Sequence, residues 1–217
     1  MSSGKLSRKT DVPAVFSYDQ EIRQQYPLIA GIDEAGRGPL AGPVVAASVI
    51  LPPGLIIEGL RDSKKIPSED NRKKLFWKIV SNAVSIGVGI IDSEVIDRIN
   101  ILESTRLAMR SSIDDLKIKP DILLIDAVKL SGMAFEQRSI IRGESVSASI
   151  AAASIIAKVV RDDIMLDYHE KYPAYNFRSH KGYSTMEHMK CISEIGPCPI
   201  HRKSFKKVID VNLPFEG

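Results

Sequence analysis

Cysteine is scarce. Cys191 and Cys198 are the two among 217 residues, too few for a disulfide framework, and they form neither a C-x-x-C nor a histidine-spaced zinc pattern. Reduced thiols in a cytoplasmic protein are the expectation. Long apolar runs are missing too: nothing approaches the roughly 18 consecutive apolar residues of a membrane span, and the polar stretch before Leu28 holds no apolar core of a secretory signal. Membrane insertion and secretion are therefore disfavoured. Nor does one charge dominate. Thirty basic against 27 acidic residues leave +3, which permits a polyanionic partner without requiring one. What is present is 44% hydrophobic and 26% charged, enough for a full core in one globular domain, or one domain with a small appendage.

The most informative stretch runs from Leu28 to Leu51. Two apolar runs flank Asp33, Glu34, Ala35, Gly36, Arg37 and Gly38, which reads as strand, loop, strand. Neighbouring residues on a strand face opposite ways, so Asp33 and Glu34 are expected to share one site only if the chain leaves extended geometry at Glu34. The glycines that follow allow this. Two carboxylates at a strand end, with Arg37 between glycines, set hard oxygen ligands beside a backbone that can approach a ligand closely. That combination suits metal-assisted chemistry on a phosphate. A plain hairpin with a solvated charged turn rarely carries this order of glycines, arginine and prolines.

Before it, one short helix near Tyr18 to Gln25 is expected, without chemistry. After it, Asp62, Ser63, Lys64 and Lys65 form a charged loop, and Ser68 opens a helix with an acidic first turn in which Leu75, Phe76 and Ile79 share a buried face. Val84 to Ile91 reads as a third strand whose Gly87 and Gly89 either weaken it or mark close packing, which makes the start an antiparallel meander. Two helices follow, Ser93 to Arg98 and Leu102 to Leu116, with Leu107, Ile113 and Leu116 inward. Asp121 to Asp126 is a short apolar run closed by an acid, the pattern of a central strand covered on both faces. On its own, Asp126 reads equally well as a turn cap or as a ligand at a strand's carboxyl end. A fifth strand is expected at Ser139 to Arg142, then Glu144, then a long helix from Ser147 to Tyr168 whose small first half lets its backbone lie close to a sheet. Lys158 and Asp162, four apart on it, read as a structural ion pair. His180, His188 and His201 lack metal spacing and read as surface or backbone-bonding residues. From Phe177 to Lys207 the segment carries Arg178, Lys181, Lys190, Arg202, Lys203, Lys206 and Lys207 against Glu187 and Glu194, either a phosphate-facing surface or a solvated tail.

The string DEAGRGPLAGPVVAA at Asp33 to Ala47 closely resembles the opening signature of the ribonuclease HII family. DSKK at Asp62 to Lys65, SIAAASIIAKVVRD at Ser149 to Asp162 and KGYST at Lys181 to Thr185 resemble it too. The resemblance implies an α/β ribonuclease H-like fold: a five-stranded mixed sheet with helices on both faces and a small helical C-terminal segment. The expected division is an extension at 1–27, a catalytic domain at 28–170 and a substrate-contacting segment at 171–217. The implied activity is endonucleolytic hydrolysis of the RNA strand of RNA/DNA hybrids, and cutting at ribonucleotides embedded in duplex DNA, leaving 5′-phosphate and 3′-hydroxyl ends. Asp33, Glu34, Asp126 and Glu144 would be catalytic and hold two divalent metal ions. An all-carboxylate set favours magnesium or manganese over zinc. Gly36, Arg37 and Gly38 would read the ribose 2′-hydroxyl, Lys64 would meet substrate phosphate, and Tyr183 would pack on the sugar at the junction. The family position matching Glu144 is usually Asp in a Gly-Asp pair, so this sequence departs there. A monomer without membrane association is expected. Competing readings are ribonuclease HIII, which typically carries an extra N-terminal domain and lacks this Gly-Arg-Gly form, another nuclease or integrase of the superfamily, and a noncatalytic hybrid-binding module, which would not need the acidic set.

Overall fold

The computed structural model describes residues 13–60, 66 and 68–212; residues 62–65, where a charged loop with Lys64 is expected, lie outside them. Five strands form one sheet: β1 (Ile29–Ala35), β2 (Val44–Ile50), β3 (Ser85–Ile91), β4 (Ile122–Asp126) and β5 (Glu136–Ile140), in the order β3-β2-β1-β4-β5. The first three are the expected antiparallel meander. β4 and β5 join parallel: the path from β1 to β4 runs through helices, whereas β4 reaches β5 by the helix-free connection 127–135.

Each face is covered by one long helix. α5 (Ala148–Lys171) lies on one face, where Ala151, Ala152 and Ile155 meet Val45, Ala47 and Val49 of β2. Its small residues serve the expected purpose: a Cβ on Gly31 of β1 would fall 2.0 Å from the Ser149 carbonyl carbon, so backbone meets backbone there. α4 (Ile101–Asp114) covers the other face with Ala108, Met109 and Ile113 against Ala30 and Ile32. Leu107 is instead 39% exposed. Gly87 and Gly89 mark close packing on this side, since side chains there would strike the backbone of α4. β4 is buried on both faces, Leu123 and Ile125 against the α4 side and Ile122 and Leu124 against the α5 side.

Local chemistry sets the element ends. α2 (Glu69–Asn82) is capped by Ser68, whose hydroxyl accepts from Asn71 N–H at 3.2 Å. α3 (Ser93–Ile99) starts at Asp92, which accepts from Val95 N–H. α1 (Ala14–Arg23) begins four residues earlier than expected. It carries Asp19, whose buried carboxylate accepts from both the N–H and the hydroxyl of Ser149, 2.8 and 2.7 Å away, at the first turn of α5. A cap supplied from 130 residues away is invisible to local pattern.

Two further expectations are corrected. β5 is Glu136–Ile140, not Ser139 to Arg142. It is an edge strand with a half-exposed, polar sequence, so alternation is faint, and Arg142 has already left extended geometry at φ 56°. The chain also does not leave the ladder at Glu34. β1 stays paired with β2 through Ala35, opposite Val45, and the break comes at Gly36, φ +98°.

After α5 the chain forms α6 (Phe177–His180), α7 (Met186–Ile195) and α8 (Lys206–Asn212). They close a cluster of their own in which Phe177, Ile192, Ile200 and Val208 pack on Leu40, Ala41 and Met165. Among the described residues no helix is long and apolar enough to cross a membrane.

Candidate active site

The acids meet at the carboxyl ends of β1 and β4. Ile32 pairs with Ile125 in the parallel ladder, so the next step along both strands sets Asp33 beside Asp126. Alternation along β1 puts Asp33 with Gly31 on the α5 face and Glu34 with Ile32 on the α4 face. The two neighbours thus approach one rim from opposite sides. Asp33 is buried and accepts from Glu34 N–H at 2.7 Å and from the Ser154 hydroxyl of α5. Burial, then the charges of Glu34 and Asp126, push its carboxyl well above the usual range. Three of the four expected acids are therefore within electrostatic reach of one another.

Glu144 arrives by a different device. A one-turn helix, Gly143–Ser145, follows left-handed Arg142, and Gly143 N–H donates to Asp126 Oδ1 at 2.7 Å. Asp126 thus bonds backbone 17 residues on rather than capping its own turn, and that bond brings the buried Glu144 to the same corner.

A cavity of about 540 Å³ opens beside these acids, lined by Glu34, Gly36, Arg37, Gly38, Ser154 and Tyr183, with Lys158 at its side. Ser154 links the two regions, bonding Asp33 while facing the cavity. Arg37 reaches Glu34 at 3.4 Å, its side chain 45% exposed. A Cβ on Gly38 would lie 3.9 Å from the Tyr183 ring, so loop and aromatic face each other. Lys158 pairs with Asp162 at 2.6 Å, the structural pair expected, and also stands 5.9 Å over the Tyr183 ring.

The acids as they stand do not close a cage: among the described residues no three His, Cys, Asp or Glu side chains are grouped to hold a metal ion. The donor set nonetheless suits a hard cation. Magnesium keeps several waters and is held by one or two carboxylates together with substrate phosphate, so an open rim of oxygens beside a cavity fits it better than a closed site would. Like charges at a buried rim also favour a cation thermodynamically.

A family model described as Ribonuclease HII matches residues 30–208. The chain belongs to the ribonuclease HII family. A ribonuclease HII of Acetivibrio thermocellus is 56% identical over 191 residues, 88% of this chain and 74% of the relative. One of Geotalea uraniireducens is 51% identical, covering 90% of this chain and 91% of the relative. The crystal structure of the ribonuclease H2 from Pyrococcus horikoshii superposes with a TM-score of 0.72 at 26% identity, over 85% of this chain and 96% of that one. The chain is accordingly a ribonuclease H, a phosphodiester-cleaving endonuclease, and the ribonuclease HIII and noncatalytic readings give way.

Sequence reasoning missed several residues of this ribonuclease HII site. Ser154 and Lys158 sit on α5, where small and charged residues have ready structural explanations. Arg161 and Arg202 are fully buried and hold the loop after β1 by its carbonyls; Arg202 is thus no part of a basic surface. The histidines bond backbone as expected but are not on the surface. Cys198 N–H donates to His201 Nδ1 at 2.9 Å, which assigns His201 Nε2–H as donor to His188 Nε2 at 3.0 Å and His188 Nδ1–H as donor to the Tyr183 carbonyl at 2.9 Å. Burial first, then repulsion from neighbouring rings, His180 for His188 and both His188 and His180 for His201, lowers each to about 4. This neutral chain braces the Tyr183 backbone from beneath. Both cysteines are free thiols.

Proposed function

We propose that this ribonuclease hydrolyses the RNA strand of RNA/DNA hybrids and cuts at single ribonucleotides embedded in duplex DNA, leaving 5′-phosphate and 3′-hydroxyl ends, with two divalent cations, magnesium or manganese. The observation that carries the reading is the parallel pairing of β1 with β4, which aligns Asp33 with Asp126 beside a cavity lined by the Gly36–Gly38 loop and Tyr183. Asp33, Glu34, Asp126 and Glu144 would hold the cations, whose charge would activate the attacking water and stabilise the departing oxygen. Burial first, then the charges of Glu34 and Asp126, raise the Asp33 carboxyl, and a bound cation would offset both. The Gly36–Gly38 backbone would meet the ribose 2′-hydroxyl, the group that separates RNA from DNA at one nucleotide. Tyr183, 43% exposed, would stack on the adjoining sugar, and Lys64 would meet phosphate. A cytoplasmic monomer is the corresponding setting.

The test is cleavage of a duplex carrying one ribonucleotide beside an all-DNA control. Cutting that needs magnesium or manganese, spares the control and leaves a 5′-phosphate is expected. Equal cutting of both, or cutting in chelator, would overturn the reading.

A further inference from the structure

Two arginines lie wholly buried under the Gly36–Gly38 loop, and among the described residues neither forms an ion pair with a carboxylate. Their partners are carbonyls. Arg202 donates from Nη2 to Gly36 O at 2.6 Å, from Nη1 to Arg37 O at 3.0 Å and Pro39 O at 2.8 Å, and from Nε to Gly42 O at 3.0 Å. Arg161 donates to Pro43 O, Ala41 O and Lys181 O at 3.0 to 3.1 Å. Removing two guanidinium groups from water is costly, and the carboxylates of Asp162 and Asp97, which act on Arg161 and Arg202 from beyond ion-pair distance, do not outweigh that burial. A single hydrophobic plug would fill the same volume at less cost, so the pattern of bonds calls for an explanation.

Peptide geometry supplies it. In a planar trans peptide the carbonyl of one residue and the N–H of the next point in opposite directions. Because Arg202 draws Gly36 O and Arg37 O inward, the N–H groups of Arg37 and Gly38 turn outward, toward the cavity these residues line. Neither N–H finds an acceptor among the described residues. Arg161 fixes the start of the same turn: a Cβ on Gly36 would fall 2.1 Å from Arg161 Nε. Its bond to Lys181 O also ties the loop to the segment that carries Tyr183, two residues on.

We propose that Arg202, assisted by Arg161, is a positioning residue for ribose selection: it holds the loop carbonyls inward so that the Arg37 and Gly38 N–H groups present a fixed pair of donors to the 2′-hydroxyl. The inference rests on the reading of this loop as the ribose reader. Arginine suits the task because its planar fork serves several carbonyls at once, whereas lysine offers three donors from one freely rotating nitrogen.

The experiment uses the full chain with Arg202→Lys and, separately, Arg161→Lys, each assayed well below its own melting midpoint. Dissociation constants are measured in chelator for a duplex with one ribonucleotide and for the all-DNA duplex of the same sequence, and KM and kcat for cutting the first. Arg202→Lys is expected to lower the ratio of the two affinities tenfold or more, to raise KM, and to keep kcat within about threefold, with all-DNA binding unchanged. Arg161→Lys is expected to change the ratio in the same direction. A folded Arg202→Lys with the parental ratio overturns the proposal, as does an equal loss of affinity for both duplexes. Failure of both variants to fold makes the pair purely structural and overturns it too. A parent chain that binds both duplexes equally refutes the ribose-reading loop itself, a result distinct from a selective parent whose selectivity ignores Arg202.

Discussion

Replacing Asp33 with Asn separates the shape of the site from its charge. The carboxylate is 6% exposed and stands beside Glu34 and Asp126, so without cations the folded state bears a desolvated charge and its repulsion from two others. Asn keeps an oxygen for the Ser154 hydroxyl and the Glu34 N–H while removing that charge. The expected gain in stability in chelator is on the order of 1–3 kcal/mol, about 3–10 °C in melting midpoint for a chain of this size. The sign depends on pH in a definite way. An acid whose folded pKa is raised holds its proton more tightly when folded, so the parent loses stability as pH rises from its ordinary 3.8 up to the raised value. The advantage of Asn should therefore be absent below pH 3.8 and grow as pH rises through the raised value. Cutting of a junction duplex should fall by three orders of magnitude or more, the loss expected when about 4 kcal/mol of transition-state stabilisation is removed. The measurements are thermal melts in chelator across pH and single-turnover cleavage. A variant that melts below the parent at neutral pH, or that cuts at near-parental rate, refutes the reasoning.

Three further outcomes are expected. Arg37→Ala should reduce the preference for a ribonucleotide junction over an all-DNA duplex several-fold in competition binding, because it removes the side chain that braces Glu34 across the cavity mouth; an unchanged preference counts against that loop. Glu144→Gln should lower cleavage tenfold or more with little change in melting, and parental cleavage would remove Glu144 from the ligand set. His188 and His201 titrate at about 4 against 6.5 for a free ring, so stability should fall as pH drops from 6.5 toward 4 and level off below, by roughly 3 kcal/mol per ring at most and less than twice that for the pair, since the value of His201 already includes repulsion from His188. Denaturant titrations of the parent and of His201→Gln test this; identical pH slopes would reject a neutral histidine chain, and protonation of Asp33 works in the opposite direction and cancels in the comparison.

The parts of the molecule legible in its sequence are those written in short-range pattern. Apolar runs around Asp33 give the β1–β2 hairpin, Ser68 with Glu69 and Asp70 marks the start of α2, and the alanines before Ile155 foretell a helix pressed onto the sheet. Asp126 is legible as an acid closing a buried strand, though only the parallel register with β1 decides what it faces. What escaped notice is held by contacts between distant residues that leave no periodic trace. Asp19 caps α5 across 130 residues, and Arg202 serves carbonyls about 160 residues away. Carbonyls are common to every residue, so an arginine that binds them looks in sequence like any surface charge. The histidines escaped for the same reason: a chain of neutral rings needs tertiary proximity, not spacing.

Calorimetric titration of magnesium into the chain bound to a junction duplex with an uncleavable scissile phosphate bears most directly on the central claim. Two cations per complex are expected with the parent, and loss of saturable binding with Asp126→Asn. Undiminished binding in that variant, or none in the parent, would contradict it.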